Sequence, residues 1–137
     1  MDENNYTNLA KARIERAKEL LEDAELLLER ESYASANNRA YYALEKACTA
    51  LLASEKIKTK SHRGIIAQFN QYFVSNDSAP FGAEDYKTVA RAETIRSKSD
   101  YDDFYVANKD ETKLLISHSG IFIAKVEEYL KEKSESM

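Results

Sequence analysis

Apolar residues recur at intervals of three and four positions in five stretches of the chain, a spacing typical of amphipathic helices. No stretch shows sustained alternation of apolar and polar residues, so no strand is predicted. The connections between the stretches are short, which favours antiparallel neighbours. The pattern predicts an all-α antiparallel bundle of about five helices, which in chain order cover residues 9–31, 33–54, about 61–74, 83–98 and about 108–133.

Polar residues stand near most of the predicted helix starts, where a side-chain oxygen can accept a hydrogen bond from a free backbone N–H. Asn108 is followed by Glu111 at the spacing of a capping box. The candidate N-caps, in chain order, are Thr7 or Asn8, Ser32, Thr59 or Ser61, and Asn108.

The apolar positions also predict which face of each helix is buried. The inner face of the second helix is rich in alanine, so a neighbouring helix can approach it closely. In the third helix, Tyr72 is predicted to point inward with the phenylalanines. The predicted inner face of the fifth helix consists of Leu114, Leu115, His118, Ile121, Phe122, Val126 and Tyr129.

Glycine and proline are too scarce for a fold with many turns. Three glycines and one proline in 137 residues do not support an all-β architecture. Gly64, Gly82 and Gly120 are also too far apart to form one phosphate-binding loop. The length is that of one domain, predicted over residues 1–137 with its core at about 9–130.

The charge and the cysteine content exclude further classes of protein. A net charge of −4 argues against a basic nucleic-acid coat. Basic residues outnumber acidic ones only in residues 32–109, so an anion site is expected there. The single Cys48 excludes an internal disulfide and a cysteine zinc cluster. It suits a reducing compartment, and a polar N-terminus without a signal peptide predicts a cytoplasmic protein without a membrane span.

The first candidate site lies in the second helix. Arg39, Tyr42 and Lys46 are three and four residues apart and so share a helix face. An arginine beside a tyrosine offers a guanidinium for phosphate and a ring for base stacking. The alternative is that the tyrosine packs and the arginine pairs with a neighbouring acid.

The second candidate site is the run from Arg96 to Asp103. If the fourth helix continues, Arg96 and Asp100 pair at i, i+4, and such a pair on a surface contributes only about 0.5 kcal/mol. If Asp100 instead ends the helix, the two residues flank a cleft. Arg96, Asp100 and Tyr101 are therefore the candidate catalytic residues, and a plain ion pair is the alternative.

The third candidate is a basic run that leads into the third helix. Its members are Lys56, Lys58, Lys60, His62 and Arg63. A basic loop before a helix N-terminus is a good anion site, so His62 and Arg63 are predicted to help bind nucleotide or RNA. A solvated loop is the alternative. The two histidines, His62 and His118, lack a matching carboxylate pattern, so neither a metal site nor a cofactor is predicted.

Three motifs together resemble the HEPN-domain proteins, in particular their small stand-alone bacterial and archaeal branch. They are R-x-Y-Y-A at residues 39–43, S-H-x-G at residues 61–64 and R-x-x-x-D-Y at residues 96–101. The resemblance covers about residues 9–130. It implies an antiparallel helical bundle, commonly a homodimer, that associates with nucleotides or RNA.

The resemblance also implies a biological setting. Many small HEPN proteins pair with a minimal nucleotidyltransferase in toxin–antitoxin or defence modules. Active members are metal-independent ribonucleases with an arginine followed, after four to six residues, by a histidine. Here Arg96 matches the arginine, but Asp100 and Tyr101 stand where the histidine is expected. An ionised aspartate cannot donate a proton as imidazolium does, so acid–base RNA cleavage is not expected.

Three functions remain open. The leading one is a homodimer that binds a nucleotide, RNA or a nucleotidyltransferase partner. The second is an active ribonuclease in which Arg96 stabilises phosphate and Asp100 or Tyr101 transfers a proton. The third is a purely structural protein-interaction module. For the first two, the second helix is expected to pack beside the end of the fourth and to bring Arg39 and Tyr42 near Arg96.

Overall fold

Five helices make up most of the described backbone. The computed structural model describes residues 2–59 and 61–136, without the side chains of Glu3, His62 and Arg63. Of the protein, 79% is helical, and the described residues include no strand, which confirms the predicted all-α class. The elements are α1 (Glu3–Glu29), α2 (Tyr33–Ser54), α3 (His62–Phe73), α4 (Ala83–Tyr101) and α5 (Lys109–Glu135).

The second helix is the centre of the bundle, since it packs against all four others. Its composition explains this position. Small side chains let neighbouring backbones approach closely on several sides at once. The alanines of α2 that are fully buried are Ala36, Ala40, Ala43, Ala47 and Ala50.

Aromatic rings fill the end of the core that α3 and α5 share. Phe69 packs edge-on against Phe122, with ring centroids 5.4 Å apart, and Phe81 packs against Tyr129 at 5.7 Å. Each such pair contributes about 0.5–1.5 kcal/mol beyond its burial. This end of the bundle is therefore a packed hydrophobic core.

Two helix boundaries differ from the predictions. Helix α1 begins at Glu3, because the Asp2 carboxylate accepts from the Asn5 N–H at 3.0 Å; the predicted caps at Thr7 and Asn8 are wrong. Helix α4 runs to Tyr101, three residues beyond the predicted end at Lys98. The first turns of α1 carry too few apolar residues to show a period, and the end of α4 is held by contacts to α2 described below.

The capping predictions had mixed outcomes. Ser61 caps α3 by accepting from the Gly64 N–H at 3.2 Å. Asn108 caps α5 by accepting from the Glu111 N–H at 2.8 Å. Ser32 does occupy the N-cap position of α2, but its side chain makes no capping hydrogen bond.

The predicted inner face of α5 is partly wrong. Leu114 and Ile121 are exposed, and His118 is only half-buried. The observed inner face lies at a different angle around the helix axis from the predicted one. It includes two polar residues, Thr112 and Ser119. It consists of Thr112, Leu115, Ile116, Ser119, Phe122, Ile123 and Val126. The hydroxyl of Ser119 donates to the Leu115 carbonyl at 2.7 Å, so its burial leaves no donor unpaired. In α3, Tyr72 is likewise exposed.

Cys48 is free and fully buried in α2. Among residues 2–59 and 61–136, no helix is long and apolar enough to cross a membrane. The described side chains also form no group of three or more residues suited to a metal ion.

Candidate functional site

Polar side chains line the seam where the start of α2 lies against the end of α4. The Asn37 amide donates to the Ser99 hydroxyl at 3.1 Å. The Asn38 amide donates to the two carboxylate oxygens of Asp100 at 3.0 and 3.3 Å. Successive residues of α2 thus bind successive residues of α4, which holds the last turn of α4 in helical form.

Arg96 lies at the centre of this seam. Its Nη2 donates to Glu93 at 2.8 Å, and its Nη1 lies 3.6 Å from Asp100. The side chain is only 15% exposed. The hydrogen bond to Glu93 raises the pKa of Arg96, which therefore stays charged. The two terminal nitrogens of the guanidinium therefore face two different carboxylates.

Two tyrosine rings flank the same guanidinium. Its central carbon lies 4.9 Å from the ring centroid of Tyr41 and 5.8 Å from that of Tyr101. A cation over an aromatic face is stabilised by the ring quadrupole. The Nε of Arg96 is shielded from solvent and has no hydrogen-bond partner among the described residues. The rings and the two acids thus enclose the arginine on most sides.

Beneath Arg96 lies a buried phenol–carboxylate pair. The Tyr41 hydroxyl donates to Glu45 at 2.9 Å, and both residues are buried. Burial, together with the carboxylates of Glu45 and Glu93, raises the pKa of Tyr41. The phenol therefore stays protonated and serves as a donor, not as a general base.

The segment that joins α4 to α5, residues 102–108, presents apolar side chains to solvent. Phe104 is 94% exposed and Val106 is 81% exposed; in the preceding turn, Tyr101 is 75% exposed. The segment nonetheless has a defined local conformation, since the Phe104 N–H donates to the Asp102 carboxylate at 2.9 Å. Of these three side chains, Tyr101 lies beside Arg96.

Tyr105 anchors this segment to the bundle. Its hydroxyl bonds Glu111 at the start of α5 and also contacts the Ser99 hydroxyl. Burial and the Glu111 carboxylate raise the pKa of Tyr105 to about 12. Tyr105 thus ties this segment to α5, while Asn37 ties α2 to Ser99 of α4.

The structure brings some of the predicted site residues together. Arg96, Asp100 and Tyr101 meet on the last turns of α4. Tyr42 packs edge-on against Tyr41, with ring centroids 5.3 Å apart. These four residues share the seam.

The other predicted residues whose side chains are described make no hydrogen bond or ion pair with Arg96. Arg39 is exposed and forms no ion pair or hydrogen bond within the described part of the chain, and Lys46 is half-buried, also without such a partner there. The side chains of His62 and Arg63, and the whole of Lys60, fall outside the described residues. Of the basic run, only Lys56 and Lys58 have described side chains.

The residues that orient Arg96 were not predicted from the sequence. Glu93 holds its Nη2, and Asn37 and Asn38 hold the helix turn that follows it. One signal was available in the sequence: two consecutive asparagines interrupt an alanine-rich apolar helix, and Asn37 is fully buried there. A buried amide in such a face requires a polar partner.

A second concavity, of about 930 Å³, lies between the N-terminal half of α1 and the C-terminal half of α5. Ala10, Ile14 and Leu130 form its apolar lining. At its edge Lys133 donates to the Ser54 carbonyl at 2.6 Å and to Glu55 at 2.5 Å. The charges there are largely committed to holding the helix ends together.

Comparison with known proteins links the chain to a family. The family description "HEPN domain" matches residues 10–129. The chain is 31% identical to "Putative toxin MJ0142" of Methanocaldococcus jannaschii over 88% of this chain and 81% of the relative. It is 32% identical to "Putative toxin MJ0605" of the same organism, over 88% of both chains. A UPF0332 protein of Thermotoga maritima is 32% identical over 85% of this chain and 87% of its own.

Proposed function

Since this chain belongs to the HEPN family, we propose that it is the toxin-like component of a two-component module and that the seam around Arg96 binds the phosphate groups of RNA or a nucleotide. Two similar proteins carry names that describe them as toxins. The proposal extends that role to this chain and assigns it to a particular set of side chains.

The observation that supports a phosphate site is the setting of Arg96. A guanidinium is the side chain best matched to a phosphate, since it offers two parallel N–H donors. Arg96 lies beside the exposed ring of Tyr101, and Phe104 is exposed three residues further on. Bases of a single strand can stack on such rings while an arginine holds the backbone.

We propose binding without cleavage as the activity of the isolated protein. General acid–base cleavage needs a group that exchanges a proton near neutral pH. The raised pKa keeps Tyr41 protonated, and the Asp100 carboxylate is engaged by Arg96 and Asn38. Cleavage that depends on Arg96 is the alternative, and the same assay detects it.

We propose further that two copies associate and that a nucleotidyltransferase-type partner completes the module. The exposed Phe104 and Val106 favour a protein contact at the segment after α4. Asp102 in the same segment and the unpaired Arg39 on α2 have opposite charges. In a two-fold arrangement each protomer supplies both surfaces, so the contact is self-complementary.

A binding assay with matched arginine variants tests the phosphate site. The probe is a short fluorescein-labelled single-stranded RNA, measured by anisotropy at fixed salt. Arg96→Lys keeps the charge but loses the fork, and we expect Kd to rise about tenfold or more, the scale of a charge-assisted hydrogen bond. Arg91→Lys, at an exposed position on the same helix, is the control and should change Kd by less than about twofold.

Several outcomes separate the candidates. Equal losses in the two variants would mean that binding is diffuse and not centred on Arg96. Shortened RNA in the wild-type reaction, absent with Arg96→Lys, would favour the ribonuclease. Absence of RNA binding in the wild type would leave the interaction module as the function.

A further inference from the structure

The Arg96 site is closed in the structure described above. A phosphate engages an arginine best through two adjacent N–H groups. Here Nη2 is taken by Glu93 and Nη1 faces Asp100, while Nε is shielded from solvent. The ring centroids of Tyr41 and Tyr101 lie 4.9 Å and 5.8 Å from its central carbon. The carboxylates of Glu93 and Asp100 therefore stand where an incoming anion would pair with Nη2 and Nη1.

The two carboxylates hold Arg96 with different strength. Glu93 makes a hydrogen bond at 2.8 Å and also faces the buried Tyr41 hydroxyl. Asp100 lies 3.6 Å from Nη1, beyond hydrogen-bond distance, and its side chain is 26% exposed. Its shorter contact, at 3.0 Å, is with Asn38 of α2. Asp100 is therefore the group that an external anion can displace.

We propose that Asp100 is a latch, an internal anion that occupies the Arg96 site and must move before a ligand phosphate can bind. This rests on the proposed function in one respect, the identity of the ligand as a phosphate of RNA or a nucleotide. Asn38 holds the latch closed from the neighbouring helix. The phosphate takes the place of the Asp100 carboxylate opposite Nη1, and the exposed ring of Tyr101 moves with the last turn of α4.

If Asp100 is a latch, its removal changes RNA affinity in the direction opposite to that expected for a ligand-binding or catalytic residue. If Asp100 contacted the ligand or carried out chemistry, its removal would weaken binding or activity. If it competes with the phosphate, its removal strengthens binding. Asp100→Asn keeps the shape and removes the charge. The control is Asp103→Asn, which removes the same charge three residues further along the chain. Asp103 is exposed and has no contact with Arg96. This variant therefore measures how much the overall electrostatic field of the protein affects RNA binding.

The first measurement is RNA affinity with the same labelled single strand. We expect Asp100→Asn to lower Kd by about threefold or more, as for the loss of a competing ion pair, and by clearly more than Asp103→Asn does. Asn38→Ala removes the amide that holds Asp100 but keeps the Asp100 charge. It should therefore also lower Kd, by a smaller factor. A higher Kd for Asp100→Asn would overturn the latch, as would equal effects of the two aspartate variants.

The second measurement needs no ligand. Phenylglyoxal modifies accessible guanidinium groups, and peptide mass spectrometry reports the rate at each arginine. In the wild type Arg96 should react much more slowly than Arg91, which is exposed on the same helix. Asp100→Asn and Asn38→Ala should each speed the reaction at Arg96 several-fold and leave the rate at Arg91 unchanged. An unchanged rate at Arg96, in variants that circular dichroism shows to be folded at the assay temperature, would also overturn the proposal.

The two measurements separate failure of the latch from failure of the proposed function. If the wild type binds RNA through Arg96 but neither variant tightens binding or exposes Arg96, the latch is wrong and the function stands. If Arg96 becomes reactive in the variants but no form binds RNA, the latch stands as an internal contact and the assigned ligand is wrong.

Discussion

The Asn38 amide donates to both carboxylate oxygens of Asp100, at 3.0 and 3.3 Å, and so joins the first turns of α2 to the last turn of α4. One helix turn earlier on α4 lies Arg96, the arginine that the family motif marks. The same contact that completes the fold at this seam also decides how accessible Arg96 is. Stability and binding are therefore measured separately in the variants that follow.

We expect Asn37→Ala to destabilise the protein more than Asn38→Ala does. Asn37 is fully buried and bonds Ser99, so its removal loses a buried hydrogen bond and leaves a void, for a cost of about 1–3 kcal/mol. The contact between Asn38 and Asp100 is exposed and should contribute about 0.5–1 kcal/mol. Urea unfolding monitored by circular dichroism measures both. Equal costs would mean that the Asn37 contact adds nothing to the seam.

Tyr41→Phe should lower the free energy of unfolding at neutral pH. The substitution removes the hydroxyl that donates to the buried Glu45 carboxylate, and a buried acceptor that loses a donor costs about 1–3 kcal/mol. Tyr42→Phe is the matched control, because Tyr42 is only partly buried and the structure shows no hydrogen bond from its hydroxyl. The same unfolding assay applies, and a larger effect for Tyr42→Phe would contradict the assigned role of Tyr41.

Above pH 10 the protein should lose stability, and Tyr129→Phe should reduce that loss. Burial and the Glu55 carboxylate raise the pKa of Tyr129 from 10.0 to about 12. Below pH 10 the phenol is protonated in both states and contributes no pH dependence. Between pH 10 and pH 12 only the unfolded state releases its proton, so the free energy of unfolding falls. Unfolding midpoints measured from pH 8 to pH 11 should decline less steeply in Tyr129→Phe than in Tyr72→Phe, an exposed control.

The wild type should be a dimer of about 31 kDa, twice 15.6 kDa, in light scattering at tens of micromolar. Phe104→Ser should shift it toward monomer and leave its far-UV circular dichroism spectrum unchanged, since Phe104 is exposed within the protomer. Leu26→Ser, at an exposed apolar position on α1, serves as the control and should leave the dimer intact. A wild type that is strictly monomeric would contradict the proposed two-fold contact.

Much of the fold follows from local chemistry that the sequence displays. The bounds of α2 match the prediction, because its apolar period is strong and the residues around Ser32 and Ser54 break it. Ser61 and Asn108 cap α3 and α5 by accepting hydrogen bonds from backbone N–H groups only three residues further along the chain. The alanine face of α2 predicts close packing, since small side chains are needed wherever helix backbones approach.

The tertiary structure decided the rest, because those features depend on residues distant in the chain. Ser99 and Asp100 are poor helix formers, and α4 continues through them because Asn37 and Asn38, 62 positions earlier, bind both. The inner face of α5 includes Thr112 and Ser119 and leaves Leu114 and Ile121 exposed, which the hydrophobic period alone does not predict. The sequence by itself therefore determined the approximate helices, the family and the pairing of Arg96 with Asp100, since these rest on motifs and on spacing along one helix. Only the packing of α2 against α4 placed the Tyr41 ring over Arg96 and bound Asn38 to Asp100, because contacts between distant residues are not encoded in the spacing along one helix.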